Sequence, residues 1–317
     1  MGSSTKQFLN LVVFRSTAQI EAQINCKLIT ASASQNLEGF MKLYISVVSH
    51  RHQDVIINLE SLKKLAKVKN ISIVCLDNIA TPKLRKYCRE YKIHYLTNRE
   101  AQGFAANNNR VFNHCVKELG MGKNDAFMLL NPDVMINKKC LELLLASLEE
   151  HPNKIHAPNL FIDKEHIVQD DNIRKYPKFW NFVRTYLLND RSTMIERDKE
   201  QLPHGDKVWA SGAAMMLRAE VYANLCGLDE TYFLYCEDID FCMRAKVEGH
   251  FVHYSEQAKA IHFRQRESKR FLTCYFFWHV QSVFLYTFAQ YKLRKPKSCT
   301  EKFFDDDEQP SAISSSK

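Results

Sequence analysis

From Leu43 onward the chain alternates between apolar runs and segments with apolar residues at helical spacing. Leu43–Ser49 (LYISVVS) is a largely apolar run rich in β-branched residues, which predicts a buried strand. Asp54–Leu65 reads as a helix. Ile71–Leu76 (ISIVCL) is a second strand and ends at Asp77-Asn78. Pro82–Tyr91 reads as a helix, with Thr81 as its cap and proline at its first position. Ile93–Leu96 is a third, short strand, Phe104–Leu119 a helix, and Ala126–Leu130 (AFMLL) a fourth strand ending at Asn131-Pro132-Asp133. Beyond Pro158 the pattern is less regular. It predicts helices over Phe179–Leu188 and Glu237–Val247, an apolar run at Val208–Leu217, and short strands near Phe251 and Ala260. Residues 1–40 show little periodicity apart from the apolar run Phe8–Phe14. The polar, acidic stretch from Ser298 reads as a disordered tail.

Strands alternating with helices predict an α/β fold, a mostly parallel central sheet with helices on both faces. The expected layout is an N-terminal extension (1–40), a catalytic domain (41–263) with a nucleotide-binding part (41–135) and an acceptor-side part (136–263), a basic and aromatic helix (264–297), and the tail (298–317). In such sheets ligands bind beyond the carboxyl ends of the strands. Two strands here end in an acidic residue, Asp77 and Asp133.

Composition narrows the class. The 317 residues are 45% hydrophobic and 25% charged, as in a globular protein. A net charge of +8 points to anionic partners such as phosphate groups, acidic lipid or nucleic acid. Nucleic acid is set aside, because no basic helix with interleaved aromatics at readout spacing occurs. The ten cysteines include no C-x-x-C, and several sit in apolar runs, so they read as reduced core residues of a cytosolic protein. No secretory signal pattern opens the chain.

The chemistry-bearing residues fall in a few places. A carboxylate at Asp133, rigidified by Pro132, can hold Mg²⁺ or Mn²⁺ against a diphosphate; taken alone, Asn-Pro-Asp reads first as a turn. Asp77 and Asn78 can accept from a nucleobase or ribose, or simply cap a turn. Gly103 permits a tight backbone approach ahead of a helix whose N-terminus points at the site. Asn107, Asn108 and Asn109 inside that helix are unusual, since asparagine is a poor helix former; buried polar contacts to a ligand or to the sheet ends would explain them. In Glu237-Asp238-Ile239-Asp240, Asp238 is the candidate general base, although carboxylates in a first helical turn are also favoured by the helix dipole. Arg244 either pairs with Asp240 four residues back or reaches a diphosphate. His262, between apolar neighbours, becomes a metal ligand only if it folds beside Asp133.

The ordered series SVVSH (46–50), CLDN (75–78), GFAANNN (103–109), LLNPD (129–133), ASGAAMMLR (210–218), GLDETYFLYCEDIDFCMR (227–244) and His262 resembles glycosyltransferase family 2, nearest its bacterial rhamnosyltransferase-like members, over about residues 43–290. The resemblance implies a GT-A fold and inversion at the anomeric carbon. It implies a nucleoside-diphosphate sugar donor, best matched by dTDP-rhamnose, with galactofuranose, glucose, galactose or N-acetylhexosamine as alternatives. The acceptor it implies is a glycan or polyprenyl-diphosphate-linked sugar of bacterial surface polysaccharide synthesis.

By the same resemblance Asp77 reads the base, and Ser49, Asn78, Gly103, Asn107, Asn131 and Arg244 attend the donor. Asp133 and His262 hold Mn²⁺ or Mg²⁺, Asp238 is the base, and Trp209, Gly212 and Glu237 lie on the acceptor side. Arg174 and Pro177 (RKYP) resemble a segment near the acceptor. Two departures stand out. Asn131 replaces the first acid of an Asp-x-Asp motif, and His50-Arg51-His52 stands where many members have Tyr-Asn. A non-catalytic nucleotide-sugar or glycan-binding module is the rival outside enzymes.

Phe271–Tyr291 has no charged residue across its 21 positions and is flanked by basic clusters. Its length suits a membrane span, but His279, Gln281 and Ser282 near its centre are costly in lipid. Its polar residues do not collect on one face in this reading. The expectation is a helix packed on the catalytic domain whose aromatics and basic flanks touch an anionic membrane, placing the protein in the cytoplasm, peripheral on the inner membrane face.

Overall fold

The computed structural model describes residues 41–197, 201–264, 274–298, 300, 303 and 304. The run Phe8–Phe14 lies outside them. The first half follows the expected alternation: β1 (Leu43–Ser49), α1 (Gln53–Leu59), α2 (Ser61–Leu65), β2 (Ile71–Asp77), α3 (Pro82–Glu90), β3 (His94–Thr97), α4 (Phe104–Leu119) and β4 (Ala126–Leu130). The single helix expected over Asp54–Leu65 is broken at Glu60, whose left-handed backbone (φ 54°) ends α1 and starts α2. The remaining elements are β5 (Val134–Met135), α5 (Lys138–Glu150), β6 (Ile155–Phe161), β7 (Ile173–Lys175), α6 (Phe179–Leu188), β8 (Val208–Ala210), β9 (Ala214–Arg218), α7 (Ala219–Asn224), α8 (Glu237–Val247), β10 (Val252–His262) and α9 (Cys274–Gln290).

Eight strands form one sheet in the order β3-β2-β1-β4-β9-β6-β10-β5, and β7 and β8 pair separately. Strands β3, β2, β1 and β4 are mutually parallel, whereas β9 runs antiparallel to both β4 and β6. The chain therefore builds outward from β1 through β2 to β3, then crosses back to lay β4 on the other side of β1. That reversal is a topological switch point, and it opens a crevice between the ends of β1 and β4. Every residue of β1 and β4 is buried, as continuous apolar strands covered on both faces must be.

Two expectations change here. The short strands near Phe251 and Ala260 are one strand, β10, with a register shift between Ser255 and Lys259 that hid its continuity. The apolar run Val208–Leu217 splits into β8 and β9 around Ser211-Gly212-Ala213, which places Gly212 at a turn between two sheets. The described residues of the expected free tail pack on the domain. Thr300 is buried, Phe303 meets Phe112 at 6.2 Å, and Ser298 Oγ accepts from Asn109 Nδ2 at 3.1 Å.

Candidate active site

Asp77 ends β2 and Asp133 follows β4, so both lie at the carboxyl edge with β1 between them. Around Asp77 the polar residues knit one loop together. The Asn78 amide N–H donates to the Ser49 carbonyl at 2.8 Å, and the Asn78 side chain accepts from Gln102 N–H at 2.8 Å and donates to the Gln102 carbonyl at 2.9 Å. Asn107 donates to the same Gln102 carbonyl and accepts from Asn98 Nδ2 at 2.6 Å. Asn108 accepts from Ser46 Oγ at 2.7 Å, and Asn109 accepts from Tyr222 Oη at 2.7 Å. The three buried asparagines thus bond to protein at the sheet ends, which offsets their poor helix propensity.

Gly103 works by close approach. A Cβ there would stand 2.6 Å from the Phe233 carbonyl oxygen, which accepts from Phe104 N–H at 2.9 Å. This crossing ties the loop beside Asn78 to the loop that leads into α8.

At the end of β4, Asn131 N–H donates to the Ala213 carbonyl at 2.8 Å, joining the Asn-Pro-Asp turn to the Gly212 turn. The Phe263 N–H donates to the Asp133 carbonyl at 3.1 Å, which brings the end of β10 alongside. His262 consequently folds beside Asp133, with Nε2 3.3 Å from Asp133 Oδ1. Its other ring nitrogen, Nδ1, lies 2.7 Å from Asp170 Oδ2, and Asp170 is also bonded by Arg264. Burial works to lower the His262 pKa, but the bonds to Asp133 and Asp170 outweigh it and raise it to about 9. Burial likewise works to raise Asp170, but the bonds from His262 and Arg264 hold it down at about 2.

A carboxylate that fixes one nitrogen of a histidine, leaving the other aimed at a second carboxylate, is the usual support for a metal-ligating histidine. Asp133 and His262 therefore fit a divalent cation whose remaining ligands come from a substrate. Among the described residues no group of three His, Cys, Asp or Glu could hold a metal unaided.

Asp238 lies on α8, on the floor of a cavity of about 370 Å³ that Phe104, Asn131, Arg174, Trp209, Gly212 and His262 also line. Its Oδ2 accepts from Gly212 N–H at 3.0 Å and its Oδ1 from Ile239 N–H at 2.8 Å. Burial raises its pKa, opposed by those two N–H donors and by the Arg174 charge. Glu237 lines the same cavity, is buried, and has no hydrogen-bond partner for Oε2. Burial and the neighbouring Asp238 push Glu237 well above the usual carboxylate range. Burial thus raises both acids, Glu237 more strongly, while the two N–H donors and Arg174 favour the charged form of Asp238.

Most residues singled out from sequence meet at this edge, but several do so differently from expectation. Arg244 is a correction. Its guanidinium donates to Asp240 Oδ2 at 2.8 Å and to the Leu225 and Gly227 carbonyls at 2.5 and 2.8 Å. That fork is spent holding the turn after α7, and Arg244 is not among the residues that line the cavity. Two other arginines do line the cavity: Arg264, held by Asp170, and Arg174, which spends Nε on the Asp171 carbonyl at 2.6 Å and lies over the Trp209 ring at 5.5 Å.

Trp209 Nε1 donates to the Lys175 carbonyl at 3.2 Å, which fixes its ring in the wall. Asp77 is fully buried and accepts from Thr81 Oγ1, Thr81 N–H and Tyr95 Oη, so its oxygens face the protein. Thr81 therefore bonds to Asp77 instead of capping α3 with its side chain. Ser49 is fully buried and its hydroxyl accepts from His52 N–H at 3.3 Å. Sequence reasoning missed Asp170 and Arg264, which no local motif marks; they sit 92 and 94 residues from the partners that give them meaning.

Comparison with known proteins supports the same reading. Residues 47–224 match the profile of glycosyl transferase family 2. Rhamnosyltransferase WbbL of Escherichia coli (strain K12) is 30% identical over 248 residues, covering 77% of this chain and 92% of the relative. An N-acetylglucosaminyl-diphospho-decaprenol L-rhamnosyltransferase of Mycobacterium tuberculosis is 22% identical over 169 residues, covering 51% of this chain and 55% of the relative. Among solved structures, the mannosyltransferase PcManGT from Pyrobaculum calidifontis, in complex with GDP-Man and Mn²⁺, is similar in fold (TM-score 0.50, 12% identity, 89% of this chain and 76% of that one). The α/β sheet with its crevice at the β1/β4 switch point is thus of the GT-A type, and the chain belongs to glycosyltransferase family 2.

Proposed function

We propose that the protein is an inverting glycosyltransferase that moves rhamnose from dTDP-rhamnose to a polyprenyl-diphosphate-linked glycan in surface polysaccharide synthesis, working in the cytoplasm at the membrane surface. The observation that carries this reading is one cavity lined by Asp238, held by Gly212 N–H, together with His262, whose other side meets Asp133. The acceptor class and sugar are supported by the relatives, one named a rhamnosyltransferase and one a diphospho-decaprenol L-rhamnosyltransferase.

In this reading the nucleoside lies against the loop that Asn78, Gln102 and Asn107 order behind Asp77. Asp238 takes the proton from the acceptor hydroxyl as that oxygen attacks the anomeric carbon from the face opposite the diphosphate. One base acting in a direct displacement inverts the centre and needs no covalent sugar–enzyme intermediate. Glu237, raised by burial and by the neighbouring Asp238, supports the acceptor side, with Trp209 and Gly212 shaping the wall. Arg174 is the side chain that meets phosphate charge in the cavity, the role the sequence offered to Arg244. A divalent ion, held by Asp133 and His262 with Asn131 beside them, would supply positive charge against the diphosphate. Mn²⁺ suits the nitrogen donor of His262 better than Mg²⁺, which prefers oxygen.

The test is a panel of nucleoside-diphosphate sugars with and without Mn²⁺. Nucleotide release should be fastest with dTDP-rhamnose, and NMR of a transferred product should show the anomeric configuration inverted. Retention of configuration, or release from no donor of the panel, contradicts the proposal.

A further inference from the structure

Helix α9 is built the wrong way round for a water-exposed helix. The polar groups of His279, Ser282, Tyr286 and Gln290 recur at helical spacing on the side facing the protein. Ser282 Oγ donates to the Leu234 carbonyl at 2.9 Å, and Gln290 Nε2 to the Pro177 carbonyl at 3.1 Å. Phe277, Val280, Phe284 and Phe288 occupy the opposite stripe, and all are exposed. As expected, the polar residues of this segment do not all share a face, since Gln281 is exposed, but His279, Ser282 and Gln290, with Tyr286, lie on the side that meets the protein. Helix α6, packed beside α9, repeats the feature with Trp180 69% and Leu187 73% exposed. The two apolar stripes are continuous through aromatic contacts, Trp180 to Phe179 at 5.5 Å and Phe179 to Phe284 at 5.7 Å.

Cations predominate around this face, although Arg184 pairs with Asp190 at 3.3 Å and Arg294 with Asp229. Residues 172–189 and 274–298 each carry four Lys or Arg and no Asp or Glu, and Lys178, Arg184, Lys292 and Lys295 are exposed. Among the described residues no helix is long and apolar enough to cross a membrane. An exposed aromatic and aliphatic face rimmed by cations matches a helix pair lying in the headgroup layer of an anionic bilayer. The cavity that contains Asp238 is also lined by Phe182, Thr185 and Tyr186 of α6 and His279 of α9, so its wall is continuous with this face.

We propose that α6 and α9 together form a docking surface for an anionic lipid bilayer, which brings the cavity to the membrane. This deepens the reading of a lipid-linked acceptor and rests on it for its purpose, though not for its test. The full chain is mixed with phosphatidylcholine vesicles with or without phosphatidylglycerol, and the fraction that floats with lipid is measured. Binding to the anionic vesicles, falling with added salt, is expected. A Leu187→Glu/Phe288→Glu variant, altered at exposed positions outside the cavity, should lose at least about tenfold in vesicle partitioning. Lys292→Glu/Lys295→Glu should lose binding at low salt in the same sense. Both variants should keep the wild-type unfolding temperature and wild-type donor hydrolysis in lipid-free solution. Equal partitioning of wild type and the Leu187→Glu/Phe288→Glu variant overturns the proposal. So does a wild-type dimer in solution that this variant dissociates, which would make the face a contact between copies. Because partitioning is read without catalysis, a failure of the glycosyltransferase reading shows separately as absent donor turnover.

Discussion

His262 Nδ1 lies 2.7 Å from Asp170 Oδ2, so a carboxylate outside every motif sets the orientation of the ring that faces Asp133. Asp170→Asn removes the buried carboxylate that pairs with both His262 and Arg264, leaving Arg264 only Asp171 at 3.3 Å. Breaking such a pair costs about 3–5 kcal/mol, to be read by urea unfolding. Loss of this support behind a ligating histidine also weakens metal binding by about 10–100-fold, to be read by titrating Mn²⁺. Unchanged Mn²⁺ affinity would contradict the assignment of His262 as a ligand.

The same cluster gives the metal-free protein a pH signature. His262 is raised to about 9, so its contribution is fully present below its ordinary value of about 6.5 and is lost as pH rises through about 9. Asp170 is lowered to about 2, so its share is present above about 3.9 and is lost only as pH falls through about 2. With chelator present, the unfolding temperature should fall between pH about 6.5 and 9, and His262→Gln should flatten that fall. An equally steep fall in the variant would contradict the assignment.

Gly103→Ala places a methyl 2.6 Å from the Phe233 carbonyl. Backbone cannot yield as a flexible side chain does, so a cost of about 1–3 kcal/mol is expected. Donor affinity should fall with it, because the loop ordered by Asn78 is held to α8 through this crossing. Gly120→Ala is a useful contrast, since no atom lies within 4 Å of a Cβ there and only its φ of 69° resists the change.

Arg244 and Arg174 should separate cleanly. Arg244→Ala strands Asp240 and two carbonyls and should cost about 3 kcal/mol or more, with nucleoside-diphosphate affinity little changed in the fraction that folds. Arg174→Ala removes a cation that lines the cavity and should weaken binding of the nucleoside diphosphate or of a phosphate-bearing acceptor, with little loss of stability. Calorimetry with each ligand and thermal unfolding of each variant decide it, and the reverse pattern would restore Arg244 to the donor.

The strand ends were legible because β1, β2 and β4 are largely apolar runs closed abruptly by polar residues, and that located Asp77 and Asp133 at one edge. The alliance of His262 with Asp133 was conditional in the sequence and needed β10 to run full length beside β6. Its bulge at Ser255–Lys259 broke the period-two pattern and concealed that run. Asp170 carried no local signal, since its partners come from β10 and just beyond it. Arg244 misled for the opposite reason. Its i, i+4 pair with Asp240 was readable, whereas the two carbonyls that complete its fork belong to a turn whose shape no side-chain pattern reveals. For α9 the sequence placed an uncharged helix against the domain, but the contacts of Ser282 and Gln290 were not legible, because Leu234 and Pro177 lie far away in the chain.

Asp238→Asn tests the assignment of the base most directly. Asparagine keeps the shape and can still accept from Gly212 N–H, but it cannot take a proton. Donor affinity measured by calorimetry should stay within about threefold while single-turnover transfer falls by about 10³-fold or more. Glu237→Gln, which puts a neutral amide of the same shape in place of an acid raised by burial, should keep transfer within about tenfold. Transfer by Asp238→Asn at near the wild-type rate would remove Asp238 from the reaction and with it the proposed mechanism.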